Sequence, residues 1–429
     1  MGTSGKYGRM FPNLRPLDVA EGPLAALGQP GGDCDGAGQD MACDSAAGWP
    51  FFGQLIAHDI TADRSLVTHG RDEVLVNSRA AKLDLECVYA GGPTGSVYIY
   101  DYNDGASFLL GTDGADLPRN AQGIAIIGDA RNDSHFVINR LHLALMQAHN
   151  ILVARLRASG TAPAALFDEA RRRVTWFYQW VVINEYLPML VDSGVIAKVM
   201  SGETASAMGS DTKIPIEFAD AVFRYGHSQI RPAYQLQTGG PMIDIFPDLL
   251  GFRPVPPERQ INFRLFFDGA GQGRAQRSMP ISEKMQTPII RLPAEITGTL
   301  VDETYRSLAA RDLRRGLSTA LPSGEDVARA MGIMPLTPAD IGTVVSAHGT
   351  PLFYYILREA AMFTGGNRLG PVGGRIVADV LISLMRRDPA SYLSRDPAWH
   401  PASDALLQVG PDAELIDLLE LSQSPMIQE

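Results

Sequence analysis

The chain has 429 residues, 45% of them hydrophobic and 20% charged, which is ample for a large core and unlike a disordered chain. Its formal net charge of −11 argues against nucleic acid and anionic membranes as partners, since both call for a basic footprint. The three cysteines, Cys34, Cys43 and Cys87, cannot all pair, so this is not a disulfide scaffold, and they lack C-x-x-C spacing, which argues against a structural zinc or an iron–sulfur cluster.

The first residues, Met1-Gly2-Thr3-Ser4-Gly5-Lys6, carry no apolar core of the kind a signal peptide needs. No stretch approaches the ~20 apolar residues of a spanning helix, so a cytoplasmic protein without a membrane span is expected. Residues 1–44 are rich in Gly, Pro and Asp and weakly periodic, and read as an extended arm along the body. Pro50 suits a first helical turn, and the apolar run to Asp59 predicts a helix. Strand signals are few and short, around Ser96–Tyr100 and Ile124–Ile127. Asn132, Asp133 or Ser134 can cap a long helix to about Arg157, with Leu141, Leu145 and His149 on one stripe. A second long helix is predicted over Ala164–Val191, and further ones over Ser307–Arg315, Gly324–Met331, Pro351–Phe363 and Arg375–Arg386. No linker interrupts residues 45–429, which read as one mainly α domain.

Two of the eight histidines stand in unusual settings. His58 lies on the apolar helix four residues after Gln54, so both side chains share a face. An imidazole and an amide so placed can hold a water or a peroxide; a satisfied core histidine explains the same residues. His227 closes Phe223-Arg224-Tyr225-Gly226-His227, where the glycine would let a flat cofactor approach the backbone. Arg131, in Gly128-Asp129-Ala130-Arg131, stands before a helix and can either face a ligand or bind a helix-end carboxylate.

Taken together, Gly53-Gln54-Leu55-Ile56-Ala57-His58-Asp59, Leu83-Asp84-Leu85-Glu86-Cys87-Val88-Tyr89, Leu117-Pro118-Arg119-Asn120, Gly128-Asp129-Ala130-Arg131-Asn132-Asp133, Gln147-Ala148-His149-Asn150 and Phe223-Arg224-Tyr225-Gly226-His227 form an ordered series. It continues through Ala310-Arg311-Asp312-Leu313-Arg314-Arg315-Gly316, Leu321-Pro322-Ser323-Gly324 and Arg368-Leu369-Gly370-Pro371-Val372-Gly373-Gly374-Arg375. In this order the segments resemble the animal-type haem peroxidases of the peroxidase–cyclooxygenase superfamily, in particular their bacterial branch.

The resemblance implies a single large helical domain with haem b buried between a distal and a proximal helix. It makes His58 the distal base, Gln54 its partner and Arg131 the distal arginine. His227 becomes the axial ligand of the haem iron, with Arg224 and Arg315 on the proximal side and at the propionates. His149 becomes a packing residue, and His135, His142 and His348 receive no role. A calcium ion is implied as well, held by Asp59, Asp84 and Glu86 in the loop Ala80–Glu86, although Ala80 stands where the family usually has a hydroxyl residue.

Three positions depart from the family's pattern. Ala57 and Ser134 replace the Asp and Glu that can form ester links to the haem in many relatives, so a non-covalently held haem is expected. Asp312 replaces an Asn near the axial imidazole; a carboxylate there would push His227 toward imidazolate and stabilise the oxidised iron.

The function expected is a peroxidase that uses hydrogen peroxide, through a ferryl intermediate, to oxidise small organic molecules such as phenols, iodide or bromide, or a specific metabolite. The alternatives are an oxygenase of the same superfamily acting on a lipid or secondary metabolite, and a haem-binding protein with little catalysis. The oxygenase reading is disfavoured because Arg224 stands where those enzymes carry a radical-forming tyrosine, while Tyr225, two residues before His227, is expected to face elsewhere.

Overall fold

The computed structural model describes residues 5–62, 76–111, 114–203, 208, 213–256, 258–269, 273–297, 303–343 and 346–421. Helices carry the architecture. We number the main ones α1 (Glu21–Gly28), α2 (Trp49–Ile60), α3 (Phe136–Ala158), α4 (Leu166–Val181), α5 (Leu308–Ser318), α6 (Leu352–Thr364) and α7 (Pro371–Arg387).

Helix α2 begins at Trp49-Pro50, where the missing proline N–H costs no hydrogen bond, and ends where Thr61 turns extended. Apolar residues surround it, as befits a helix enclosed on all sides. Helices α3 and α4 pack side by side after a short connection. The helix predicted over Ala164–Val191 forms, with one interruption: a π-turn at Val182–Tyr186 precedes Leu187–Leu190. Pro188 has no N–H to give the carbonyl four residues back, and the widened turn absorbs that loss.

The cap of α3 differs from expectation. It is His135, whose Nδ1 accepts from Ile138 N at 3.4 Å. The three polar residues before it have other partners or positions. Asn132 and Asp133 belong to a 3-10 turn over Ala130–Asp133, itself capped by Asp129. The Asp133 carboxylate binds Arg119, at 2.7 Å and 3.0 Å, and Asn139.

Neither predicted strand becomes a ladder. Residues Val97–Ile99 form a 3-10 turn, and Tyr100 and Ala125 each make one isolated bridge, to Phe108 and Arg119. Tyr100 instead stacks on Phe108 at 4.8 Å and donates to the Tyr89 carbonyl, so the apolar run serves packing. The ladders among the described residues are two antiparallel pairs, Gly5–Lys6 with Val76–Asn77 and Ala233–Gln235 with Met242–Asp244.

The N-terminal segment is less extended than its composition suggests, because Leu24 and Leu27 give α1 a buried stripe. This helix lies along α5 so closely that a Cβ on Gly28 would come within 2.4 Å of the Ala310 nitrogen. Upstream, the Glu217 carboxylate accepts from the backbone of Met10 at 3.0 Å and Phe11 at 3.2 Å. The segment thus braces α5, which carries Asp312, and the short helix Ile216–Asp220 that precedes the 3-10 helix of His227. Among the described residues, no helix is long and apolar enough to cross a membrane.

Candidate active site

His58, on α2, and His227, on the 3-10 helix Val222–Gln229, line one cavity of about 430 Å³, a size common for small-molecule sites. Helix α2 supplies Gln54, Ala57 and His58 from one stripe, and the 3-10 helix Val222–Gln229 supplies Phe223, Arg224, Tyr225, Gly226 and His227. Leu308, Arg311 and Arg315 also line it, spaced by three and four residues along α5 as one helical face requires.

On the His58 side, hydrogen bonds select the tautomer. His58 Nδ1 lies 2.8 Å from Asn132 Oδ1, and Asn132 Nδ2 lies 2.9 Å from His142 Nδ1. The amide oxygen can only accept, so Nδ1 of His58 carries the proton and Nε2 keeps its lone pair. Burial, with the Arg131 charge second, lowers His58 to about 3, so the imidazole is neutral at physiological pH.

Gln54 shares the face with His58 as the four-residue spacing predicts, and its Oε1 lies 2.7 Å from His135 Nε2. Since His135 Nδ1 already accepts from the helix, Nε2 is the donor, and the Gln54 amide keeps its own N–H groups for the cavity. His135, given no role from the sequence, therefore belongs to the site, as does Asn132. A histidine four residues after Arg131 was the available signal, and on its own it is weak.

Arg131 plays both parts left open for it. It lines the cavity, and its Nε and Nη2 bind Asp129 at 3.0 Å and 2.7 Å, while Nη2 also donates to the carbonyls of His58 and Thr61. Burial alone would raise Asp129, but the Arg131 hydrogen bonds and charge outweigh it and hold the carboxyl well below the usual range.

On the other side, His227 Nδ1 lies 2.5 Å from Asp312 Oδ2, and Arg224 Nη1 donates to Asp312 Oδ1 at 3.1 Å. Arg224 and His227 are three residues apart in a 3-10 helix, where such side chains eclipse, so one carboxylate serves both. Asp312 is fully buried, which would raise its pKa; His227, Arg224 and Arg315 together bring it below the usual carboxylate range. With Nδ1 turned to this carboxylate, Nε2 is the ring nitrogen left to bind a metal, as an axial ligand would.

The same 3-10 geometry corrects the expectation for Tyr225. At about 120° per residue, two residues separate side chains less widely than in an α-helix. Tyr225 lines the cavity, and its hydroxyl pairs with that of Tyr186 at 2.6 Å. His149 lies outside the cavity, between Tyr89 at 3.2 Å and the Ala106 carbonyl at 2.9 Å.

The sequence profile of the animal haem peroxidases matches residues 100–340, more than half of the chain. The chain belongs to the animal haem peroxidase family. Drosophila melanogaster peroxidasin is 24% identical over 232 residues, which cover 50% of this chain and 14% of that protein. Mouse myeloperoxidase is 23% identical over 235 residues, or 51% of this chain and 31% of that one. The chain thus spans less than a third of either relative. Among solved structures, Dictyostelium discoideum peroxidase A superposes with a TM-score of 0.66 at 15% identity, over 98% of this chain and 93% of that one. The Arabidopsis thaliana fatty acid alpha-dioxygenase gives 0.67 at 13% identity, over 97% and 77%. Both are likenesses of fold, a mainly α architecture with few strands.

Membership implies a haem cofactor, and the cavity fits one. Two imidazoles, those of His58 and His227, line it, and arginines border it. Gly226 lines it without crowding: a Cβ there would meet no protein atom closer than Pro50 at 3.9 Å, so it would take up only cavity space. His227, Arg224 and Arg315 are the residues that would hold the group.

The implied calcium site fits poorly. Asp59 accepts from the backbone of Leu85 at 3.0 Å and Cys87 at 3.4 Å and from the Tyr178 hydroxyl at 3.3 Å. Glu86 turns to Ala80 N at 3.0 Å and to Arg79, and Asp84 to Glu86 N at 3.2 Å. Burial, reinforced by the Asp84 charge, pushes Asp59 well above the usual carboxylate range.

Proposed function

We propose that this protein is a haem-dependent peroxidase that uses hydrogen peroxide to oxidise small organic molecules, with phenols, iodide or bromide, or a specific metabolite as candidate reductants. The observation that carries the reading is the presence in one cavity lining of a neutral imidazole with a free Nε2, His58, and an imidazole backed by a carboxylate, His227 with Asp312. When bound, haem supplies the redox centre that takes up the oxidising equivalents of the peroxide.

The chain's own groups manage the proton. His58 Nε2 takes it from one peroxide oxygen and returns it to the other, which leaves as water. The Arg131 guanidinium and the Gln54 amide favour negative charge on the leaving oxygen as the O–O bond breaks. Asn132 keeps the Nδ1 proton of His58 in place, so the base acts through one nitrogen only.

The haem is held without ester links in this reading. Ala57 and Ser134 both line the cavity and neither has a carboxylate; among the described lining residues Glu295 is the one carboxylate. Acidic acetone should therefore extract the haem completely, and haem left on the denatured chain would refute the point.

A second reading is supported by the Tyr225–Tyr186 pair. A buried, hydrogen-bonded tyrosine lining the cavity is what an oxygenase acting on a lipid or secondary metabolite would use, and Phe218, Phe246, Phe252 and Ile289 make part of the wall apolar. The test is the absorption spectrum of haem-loaded protein on adding one equivalent of peroxide and then a phenol or iodide. A spectrum that changes and then returns, equally in Tyr225→Phe, supports the peroxidase. Dioxygen uptake with a fatty acid that Tyr225→Phe abolishes supports the oxygenase. A spectrum that only bleaches rejects the peroxidase.

A further inference from the structure

We propose that the loop Ala80–Glu86 is held in place without calcium, against the distal helix α2 by hydrogen bonds to Asp59 and against α4 by the guanidinium of Arg171. Calcium needs six to eight oxygens at about 2.3–2.6 Å. Here the carboxylates of Asp59, Asp84 and Glu86, which would supply part of that shell, face donors of the protein itself.

Both oxygens of Asp59 receive N–H or O–H groups, from Leu85, Cys87 and Tyr178. Each such dipole turns its positive end to the carboxylate, which does part of a cation's work and repels a cation that approaches. The left-handed turn at Leu85, φ 57°, aims the two backbone groups inward.

The rest of the loop is closed in the same way. The Leu83 carbonyl accepts from Gln179 Nε2 at 2.7 Å. Glu86 Oε2 accepts from Ala80 N, and Glu86 Oε1 lies 3.5 Å from Arg79 Nη1. Ala80 has no side-chain oxygen to offer. The positive charge at Asp84 is Arg171, whose Nη2 lies 3.7 Å from the carboxylate and 3.5 Å from the Asp84 carbonyl. This guanidinium also sits 5.0 Å over the Tyr89 ring, so it is fixed on two sides. Among the described residues, no three His, Cys, Asp or Glu side chains are gathered so as to hold a metal ion.

The consequence is a distal helix, and with it His58, whose placement does not follow the calcium level. Calcium titrated calorimetrically into the haem-loaded full chain should give only heats of dilution. The melting midpoint should be the same in excess EGTA as in millimolar calcium, whereas a site saturated a hundredfold would raise it by ~3 °C. Amide exchange over residues 79–89 should also match in the two buffers. Arg171→Gln should speed that exchange by about tenfold or more and lower the midpoint, to the same extent with and without calcium. Stoichiometric calcium heat, or exchange in the unmutated protein that accelerates in EGTA, would overturn the proposal. Unchanged exchange in Arg171→Gln would overturn the part given to Arg171.

Discussion

Replacing His58 by alanine is expected to slow the reaction of the haem-loaded protein with hydrogen peroxide by roughly 10²–10⁴-fold, the usual worth of a positioned acid–base group, while haem binding is unchanged. Among the described lining residues the other imidazole on that side, His135, has neither nitrogen free to take a proton, since Nδ1 accepts from Ile138 N and Nε2 donates to Gln54. The pH profile adds a second readout. A free histidine titrates near 6.5, but burial, and next the Arg131 charge, lowers His58 to about 3. The base is active when unprotonated, so activity should hold as pH falls through 6.5 and decline only near or below ~4. Stopped-flow rates against pH measure both effects. A His58→Ala rate within twofold of the unmutated protein would remove the residue from proton transfer.

Replacing His227 by glycine is expected to weaken haem binding by about 100-fold or more. Loss of a partner to a metal ligand already costs 10–100-fold, and loss of the ligand itself should cost at least that. Free imidazole should restore binding and spectrum, because the Asp312 carboxylate, still paired with Arg224, would remain to accept its N–H. Haem titration with and without imidazole reads this directly. Unchanged affinity would place the axial ligand elsewhere, and failed rescue would remove Asp312 as the group that orients it.

Much of the molecule can be read along the chain, for local reasons. The apolar run after Pro50, the stripe of α3 and the capped start of α5 are periodic patterns that need no distant partner to be recognised. Gln54 and His58 share a face because four residues are about one helical turn. The absence of carboxylates at Ala57 and Ser134 is a matter of composition at two places, and both do face the cavity.

What went unread has a shared cause as well. The short apolar runs at Ser96–Tyr100 and Ile124–Ile127 have the content of strands, yet a strand needs an edge to pair with, and aromatic packing took them first. Tyr225 was misplaced because the segment before His227 is a 3-10 helix, a choice of winding that residue spacing does not reveal. Which way Asp84 and Glu86 turn depends on Arg171 and Arg79, and no residue type in the loop announces that.

The sequence alone therefore determined most of the helices and the shared face of Gln54 and His58, because these follow from side-chain type and short-range period, while the roles of His58 and His227 were what the family resemblance implied. Only the tertiary structure decided the partners: Asn132 for His58 across 74 residues, His135 for Gln54 across 81, Asp312 for His227 across 85 and Tyr225 for Tyr186 across 39. Hydrogen bonds of that reach form where packing brings donor and acceptor within about 3 Å, and no local pattern in the chain encodes that distance.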